Sequence, residues 1–424
     1  MTTPIPSRRR FRRIGKTFQT MIATGTAAVA LVACSNTSGT STTGGGAAAE
    51  AFPPASAEAR QAAVEKGFMS DEITFDSLNP VIQRAIDKAA TPLTDDQWAK
   101  LQECLKATSC ETGRGTLTVA LANDGINPWR QTWRAEFTAA AIQSPQVKKI
   151  VYSLGVEVPK WIANVRSHIA QQADIIIMNS VYGAAVLPAL QSAKQAGVKV
   201  VQVGTPLPEE VRSQLSGEAD DDLCKPYQDT AAELIKRFPN GGTYGLYTGI
   251  PGNGSAAIWQ PCLTKALNAA GWKKSIEGFT QWTEQGMAQQ GNALFASGKK
   301  PDFVAYDYAL EDFSAPFLKA GQTPPILASD ALNSAFLQQA KDARDKGVEM
   351  EAYISSSRVW YSRIGLELGL YLEEGKTIEN FMIPSGAATL DTLLEDFDPA
   401  MPANAPVPHF FTAEQEEWIL SAQG

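Results

Sequence analysis

The chain has 424 residues, with 37 lysines and arginines against 45 aspartates and glutamates, so its formal net charge at pH 7 is −8. This acidic balance argues against a nucleic-acid-binding protein, which needs a basic surface. The composition, 44% hydrophobic and 19% charged, excludes a fully disordered chain, and the length of 424 residues exceeds what one hydrophobic core usually covers. We therefore expect a globular protein of two lobes.

Residues 1–33 are predicted to be an export signal. A cationic block runs from Arg8 to Lys16, and an apolar stretch follows at residues 21–33. That stretch is shorter than the roughly 20 residues that span a bilayer, which favours a signal peptide over a transmembrane helix. Residues 7–11 resemble a twin-arginine export signal, and a general secretory signal that is rich in arginine is the equal alternative.

Residues 31–34, Leu-Val-Ala-Cys, resemble the lipobox of bacterial lipoproteins. In that family the cysteine is lipidated and becomes the first mature residue, and several acyl chains give a stable anchor. The resemblance implies that Cys34 is lipidated and that the protein is held at the outer face of the cytoplasmic membrane. Residues 34–53, rich in Ser, Thr, Gly and Ala, would form a flexible tether. A plain signal-peptidase site with an incidental cysteine is the alternative.

Residues 54–114 are predicted to form a helical extension that packs on the main body. From residue 57 to residue 102, apolar residues recur with a helical period, for example at Val81, Ile82 and Ile86, and this stretch gives no strand signal. At the other end of the chain, residues 396–424 contain four prolines and form an irregular tail, which ends in a short amphipathic helix around Trp418.

From residue 115 onward, short apolar runs alternate with helical patterns. The runs predicted to be buried strands are residues 117–121, 150–154, 175–178, 198–203, 244–247, 303–306, 326–328 and 352–354. The helices predicted between them include residues 184–196, 255–270, 286–296 and 331–346. This alternation predicts an α/β fold of two Rossmann-like lobes with parallel sheets and helices on both faces. Residues 206–222 are acidic without a clear strand, and we place the passage between the lobes there.

Four cysteines remain once Cys34 is set aside, and an exported protein is expected to pair them. Cys104 and Cys110 are close in sequence and could clip a turn. Cys224 and Cys262 would open two successive helices on one face of a sheet, so we expect the pairs 104–110 and 224–262. A zinc site is the alternative, but the chain has only two histidines and no C-x-x-C, and no metal is expected.

Polar side chains follow the predicted strands, and ligands in open α/β sheets bind beyond the carboxyl ends of the strands. Asn127 and Trp129 follow the first strand, Asn179 the third and Thr205 the fourth. In the second half these positions hold Tyr306, Asp307, Asp330 and Ser355. Amides, hydroxyls and carboxylates beside aromatic faces fit a sugar or polyol. The glycines at residues 252–254 make no P-loop and no complete G-x-G-x-x-G, so no nucleotide cofactor is expected.

Residues 115–376 resemble the type I periplasmic binding proteins of ABC importers, specifically the ribose-like sugar group. The segments that carry the resemblance are residues 119–121 (Val-Ala-Leu), 127–129 (Asn-Pro-Trp), 175–180 (Ile-Ile-Ile-Met-Asn-Ser), 252–257 (Gly-Asn-Gly-Ser-Ala-Ala) and 301–307 (Pro-Asp-Phe-Val-Ala-Tyr-Asp). The family implies two lobes, joined by three crossover segments, that close on one ligand. Lobe 1 would comprise residues 115–222 and 356–382, and lobe 2 residues 223–355 and 383–395.

The resemblance also implies a role for particular residues. Trp129 would stack on the ligand, Asn179 would bind a hydroxyl from lobe 1, Asp307 and Asp330 would accept hydroxyls from lobe 2, and Ser355 would lie at a crossover. The full predicted ligand-binding set is Asn127, Trp129, Asn179, Thr205, Trp259, Trp282, Tyr306, Asp307, Asp330 and Ser355. For the two tryptophans at 259 and 282, a place in the core or on the surface of a lobe is an equal alternative.

The chain departs from the ribose binders at two of their charged positions. It has Gly204 and Thr205 where they place a carboxylate and an arginine, and Ile258 and Trp259 where they place a second arginine. We therefore expect fewer charges and more aromatic surface in the cleft. That expectation leaves open a bulkier ligand, a less hydroxylated one, or one that is not a sugar.

The sequence thus predicts a monomeric binding lipoprotein, not an enzyme, that delivers a small polar solute to an ABC permease in the membrane. One alternative is a sensor that passes ligand occupancy to a membrane receptor. A less favoured one is a hydrolase on the same scaffold, with Asp307 and Asp330 as paired carboxylates. The sequence contains no G-x-S-x-G motif, so the hydrolase has no nucleophile motif of this kind in its favour.

Overall fold

The computed structural model describes residues 54–385 and 387–423. The predicted signal peptide, the lipidation site Cys34 and the tether at residues 34–53 lie outside the described residues. Among the helices of the described ranges, none combines the length and the apolar character that crossing a membrane would need.

Two open sheets form the frame of the protein. The first has seven strands in the order β1-β3-β2-β4-β5-β6-β12: β1 (Ser109–Glu111), β3 (Val147–Leu154), β2 (Leu117–Asn123), β4 (Ile175–Met178), β5 (Lys199–Gly204), β6 (Gly217–Asp221) and β12 (Phe381–Ile383). The second has six in the order β13-β11-β10-β9-β7-β8: β13 (Ala387–Thr389), β11 (Ala352–Ser355), β10 (Ile326–Ser329), β9 (Phe303–Tyr306), β7 (Thr243–Thr248) and β8 (Lys273–Phe279).

Strand pairing is parallel except at β1 with β3 and at β13 with β11. Helices pack on both faces of each sheet, because the apolar side chains of a buried parallel sheet must be covered on both sides. The predicted fold class, two α/β lobes with mostly parallel sheets, is confirmed.

Fifteen α-helices are present in the described residues. They are α1 (Ala57–Phe68), α2 (Pro80–Ala89), α3 (Asp95–Leu105), α4 (Pro128–Gln143), α5 (Val158–Ala170), α6 (Leu187–Gln195), α7 (Glu209–Arg212), α8 (Lys225–Arg237), α9 (Gly254–Ala269), α10 (Glu284–Ala296), α11 (Glu311–Lys319), α12 (Ser334–Asp345), α13 (Tyr361–Glu373), α14 (Leu390–Glu395) and α15 (Ala413–Ala422). Two short 3-10 helices, Phe75–Ser77 and Gly183–Val186, complete the described helical elements.

The chain passes between the lobes after β6, after β11 and after β12. The second passage, residues 356–360, leads from β11 of the second sheet to α13, which packs on the first sheet. The third joins β12 to β13. Because Ile383 still pairs with β6 of the first sheet, the second lobe resumes after this residue and not at it, which corrects the predicted boundary.

One strand contradicts the sequence prediction. Residues 217–221, which lie in the stretch expected to lack a strand, form β6, and all five are buried. The strand is acidic, but the guanidinium of Arg212 lies 2.6 Å from Glu218 and 2.8 Å from Asp220. Arg212 thus pairs with two carboxylates whose burial without a partner would cost a large free energy. The passage between the lobes begins directly after this strand.

The N-terminal extension and the C-terminal tail pack on the first lobe. Helices α2 and α3 contact α13 and α4, and α15 also packs on α4. Strand β1 lies beyond residues 57–102, the stretch that gave no strand signal, and its residue Cys110 pairs with Ile150 of β3. The tail touches both lobes: Ala405 accepts the amide of Ser334 at 2.9 Å, and the amide of Phe410 donates to Glu136 at 2.6 Å.

The four cysteines lie in the two pairs that were expected. The Cα atoms of Cys104 and Cys110 are 5.2 Å apart, and those of Cys224 and Cys262 are 5.4 Å apart, within the range for a disulfide. Cys224 immediately precedes α8, as predicted. Cys262, however, lies in the middle of α9 and not near its start, so the pair joins the beginning of one helix to the centre of the next.

Candidate functional site

The carboxyl ends of the parallel strands of both sheets face one cavity of about 140 Å³. It is lined by Asp124, Gly125, Asn127, Trp129, Arg130, Asn179, Val181, Gly204, Thr205, Asp221, Asn253, Ser255, Trp282, Asp307, Tyr308, Asp330, Ala331 and Arg358. Pockets for drug-sized ligands usually measure roughly 300–1,000 Å³, so this cavity suits a small solute. Among the described residues, no histidine, cysteine and carboxylate cluster is arranged to hold a metal ion.

The first-lobe wall is organised around the start of α4. Asn127 caps this helix by accepting the amide of Arg130 at 2.9 Å. The Arg130 guanidinium pairs with Asp124 at 2.5 Å and donates to the carbonyl of Asn179 at 3.1 Å. Burial raises the pKa of Asp124, although the Arg130 charge opposes this effect. The cap and the ion pair therefore fix the loop after β2 against the end of β4.

Trp129 is half-buried and held in one orientation. Its ring stacks on Trp133 with centroids 4.9 Å apart and planes at 18°, and its indole N–H donates to the carbonyl of Ser357 at 2.5 Å. The guanidinium carbon of Arg130 lies 4.7 Å from the ring centroid. A preorganised ring of this kind can cover the C–H face of a ligand at little entropic cost.

On the second-lobe wall, Asp307 organises its surroundings. It accepts hydrogen bonds from Thr248, from the Asn253 amide at 2.9 Å and from the Trp282 indole at 3.0 Å. Burial and the neighbouring Asp330 carboxylate raise the pKa of Asp307 to about 7. Protein donors thus occupy both oxygens of Asp307. In this arrangement the carboxylate holds the indole of Trp282 in place at the cavity wall.

Arg358, which also lines the cavity, lies between Asp221 and Asp330. It pairs with Asp221 through Nη1 and with Asp330 through Nη2, the latter at 2.6 Å. Burial acts to lower the pKa of Arg358, but the two carboxylates raise it on balance, so the guanidinium stays charged. Asp221 ends β6 of the first sheet and Asp330 follows β10 of the second, so this group joins the two walls.

The two lobes also touch through two other residues that line the cavity. The hydroxyl of Thr205, which follows β5, lies 2.7 Å from the hydroxyl of Ser255 in the first turn of α9. One residue belongs to each lobe, so the structure shows the lobes in contact around the cavity.

Seven of the ten residues predicted to bind ligand line this cavity: Asn127, Trp129, Asn179, Thr205, Trp282, Asp307 and Asp330. The other three are absent from the described cavity wall. Trp259 is fully buried and stacks on Tyr227 at 4.4 Å. Tyr306 is buried, with its hydroxyl 2.6 Å from that of Thr280, and Ser355 is buried at the end of β11. Trp259 thus lies in a hydrophobic core of the second lobe in this structure.

Part of the cavity wall comes from residues outside the predicted ligand-binding set. Asn253 and Ser255 lie within residues 252–257, which carry the family resemblance, and Tyr308 comes two residues after the end of β9, so the sequence offered a signal for all three. Asp221 and Arg358 gave no such signal, because β6 was not predicted and an arginine in a crossing segment has no distinctive pattern.

The cavity wall carries several charged side chains. Four aspartates and two arginines line the cavity. Asp124 follows β2, Arg130 lies in the first turn of α4 and Asp221 ends β6. Asp307 follows β9, Asp330 follows β10 and Arg358 lies in the crossing segment after β11.

Comparisons with known proteins agree with this architecture. The sequence profile of the family described as "Periplasmic binding protein domain" matches residues 118–347, more than half of the chain. No curated protein matches the chain by sequence.

Several solved structures share the fold. The periplasmic binding protein component of the arabinose ABC transporter from Shewanella sp. ANA-3, bound to α- and β-L-arabinofuranose, is 16% identical with a TM-score of 0.58 over 66% of this chain and 94% of that chain. An ABC transporter solute binding protein from Bacillus halodurans C-125 with bound myo-inositol is 15% identical, with a TM-score of 0.56 over 68% and 98% of the two chains. One from Thermobispora bispora DSM 43833 is 20% identical, with a TM-score of 0.56 over 72% and 95%.

At these identities the structural likeness concerns the fold. The family assignment comes from the matched profile, which begins in β2 and runs through the strands and helices that supply both walls of the cavity. The chain therefore belongs to the periplasmic binding protein family.

Proposed function

We propose that this protein is an extracytoplasmic solute-binding protein of the ribose-like group, which captures a small sugar or polyol for an ABC importer. The observation that carries the proposal is the cavity between the lobes, where carboxylates and amides alternate with Trp129, Trp282 and Tyr308. Carboxylates and amides can bind several hydroxyls, and aromatic faces cover the C–H surface between them. Similar proteins with bound L-arabinofuranose and myo-inositol support this choice of ligand class.

Binding is proposed to work by closure of the two lobes. When the lobes separate, the polar groups of the cavity are solvated, and closure replaces their waters with ligand hydroxyls. A ligand that contacts both walls binds the closed arrangement better than the open one and so shifts the equilibrium. The importer would then recognise the closed, loaded protein.

A thermal-shift screen of residues 54–424 against sugars, polyols, nucleosides and amino acids tests this proposal. A solute present at about 100 times its Kd should stabilise the protein by about 2.7 kcal/mol, and scattering should show a smaller radius of gyration with that solute than without it. Stabilisation only by nucleosides or amino acids would contradict the sugar or polyol class. Recovery of a chemically altered sugar after incubation would favour the hydrolase.

We also propose that the protein is anchored to the membrane through Cys34. The support is the lipobox-like residues 31–34, which precede a flexible tether. Cys34→Ala should move the protein from the membrane fraction to the soluble fraction, because the acyl chains need the cysteine. Ser35→Ala, which leaves the cysteine in place, should stay with the membrane. If the Cys34 variant still sediments with membranes, the anchor lies elsewhere.

A further inference from the structure

Arg358 occupies an unusual place in the fold. It lies in the crossing segment between β11 and α13, and its backbone has φ of +62°, a conformation that residues with side chains rarely adopt. The hydroxyl of Ser356 accepts its amide at 3.2 Å, which helps to hold this turn. A strained backbone conformation persists where the surrounding contacts hold it in place. We therefore expect the side chain of Arg358 to make contacts that stabilise this turn.

Those contacts join the two lobes. One guanidinium pairs at the same time with Asp221 of the first lobe and Asp330 of the second. Both carboxylates are buried, and Asp307 lies near enough to interact electrostatically with Asp330. Without a cation between them, three carboxylates from two walls would repel one another as the lobes approach.

The second oxygens of the same two carboxylates are also informative. Within residues 54–385 and 387–423, Asp221 Oδ1 and Asp330 Oδ1 are buried and receive no hydrogen bond. Both residues line the cavity. A buried acceptor without a donor is costly, and ligand hydroxyls are donors of the right kind.

We propose that Arg358 is the positioning residue of this site. It bridges the lobes by pairing with both Asp221 and Asp330, and it thereby leaves one free carboxylate oxygen from each lobe turned towards the ligand. The ligand part of this inference rests on the proposed function. The bridge itself does not, because it is made by residues of this chain alone.

The bridge can be tested without any ligand. In a variant with Thr205→Cys and Ser255→Cys, the rate of cross-linking between the lobes reports how often they meet, since the two hydroxyls lie 2.7 Å apart in this structure. Adding Arg358→Gln should slow cross-linking by about ten-fold or more, because the carboxylates then repel each other in the closed arrangement.

Arg212→Gln is the matched control. Arg212 also pairs with two carboxylates, Glu218 and Asp220, but both belong to β6 of the first lobe. Its replacement should leave the cross-linking rate unchanged. Asp221→Asn added to Arg358→Gln should restore much of the rate by removing one repelling charge. Arg358→Lys, which keeps the charge but loses the two-pronged geometry, should give an intermediate rate.

Three results would overturn the bridge: an unchanged rate with Arg358→Gln, an equal slowing with Arg212→Gln, or a rate with Arg358→Lys as low as that with Arg358→Gln. If Arg358→Gln does not fold, the lysine variant carries the test, and a cross-linking rate equal to that of the parent double-cysteine variant would overturn the bridge. A solute screen that finds no sugar or polyol would contradict the proposed function and leave these cross-linking results standing.

Discussion

Glu367→Gln is expected to lower the free energy of unfolding by about 3–5 kcal/mol, the usual cost of removing one partner from a buried ion pair. Glu367 lies on α13 and is fully buried; it pairs with Lys88 of α2, and Arg84 Nε lies 2.9 Å from its second oxygen. Burial lowers the pKa of Lys88, and the Glu367 charge opposes that effect. Without the negative charge, the lysine would be a buried cation beside neutral acceptors, namely the amide oxygen of the new glutamine and the Ser144 hydroxyl at 2.5 Å.

Urea unfolding of the single and double variants measures this effect. Glu374→Gln is the matched control, because Glu374 immediately follows α13 and pairs with Arg84 at 2.8 Å near the surface, where such pairs contribute less than about 1 kcal/mol. Lys88→Met combined with Glu367→Gln should recover most of the loss, because no buried charge is then left alone. A loss below 1 kcal/mol for Glu367→Gln would mean that the N-terminal extension is not an integral part of the first lobe.

Asp330→Ala is expected to weaken ligand binding by about ten- to a hundred-fold, which corresponds to one lost charge-assisted hydrogen bond of roughly 1.5–3 kcal/mol. The fold should tolerate the change. Arg358 keeps its ion pair with Asp221, so no buried cation is left unpaired, and Asp307 loses a neighbour of like charge.

Calorimetric titration with the solute found in the screen, together with thermal unfolding, checks this expectation. Asp302→Ala is the control. Asp302 accepts the amide of Thr243 at 2.8 Å and immediately precedes β9. It therefore lies at the amino ends of the strands, whereas the cavity lies at their carboxyl ends. An unchanged affinity for Asp330→Ala, with the protein still folded, would place the ligand away from this cavity.

The apolar strands could be predicted from the sequence, some of them to the residue. The predicted strands at residues 175–178 and 303–306 coincide with β4 and β9, because the strands of a parallel sheet are buried on both faces and appear as continuous apolar runs. Once the strands are known, their carboxyl ends follow, and with them the positions of Asn179, Asp307 and Asp330 at the cavity.

The polar strands could not be predicted in this way. β8 is an edge strand with two exposed lysines at its start, so it lacks the apolar run of a central strand. The acidic β6 is buried because Arg212 and Arg358 neutralise its carboxylates, and Arg358 lies 137 residues further along the chain from Asp221. Local sequence contains no trace of such a distant partner.

The two candidate tryptophans show the same limit. Trp259 and Trp282 are the same residue type, and only packing distinguishes them. Trp259 of α9 is covered by Tyr227 of α8. Trp282 lines the cavity and donates a hydrogen bond to Asp307. The sequence by itself determined the fold class and the strand ends that face the cavity, because these depend on local apolar periodicity. Tertiary structure alone decided which charges are neutralised and which rings are exposed, because both depend on contacts between residues far apart in the chain.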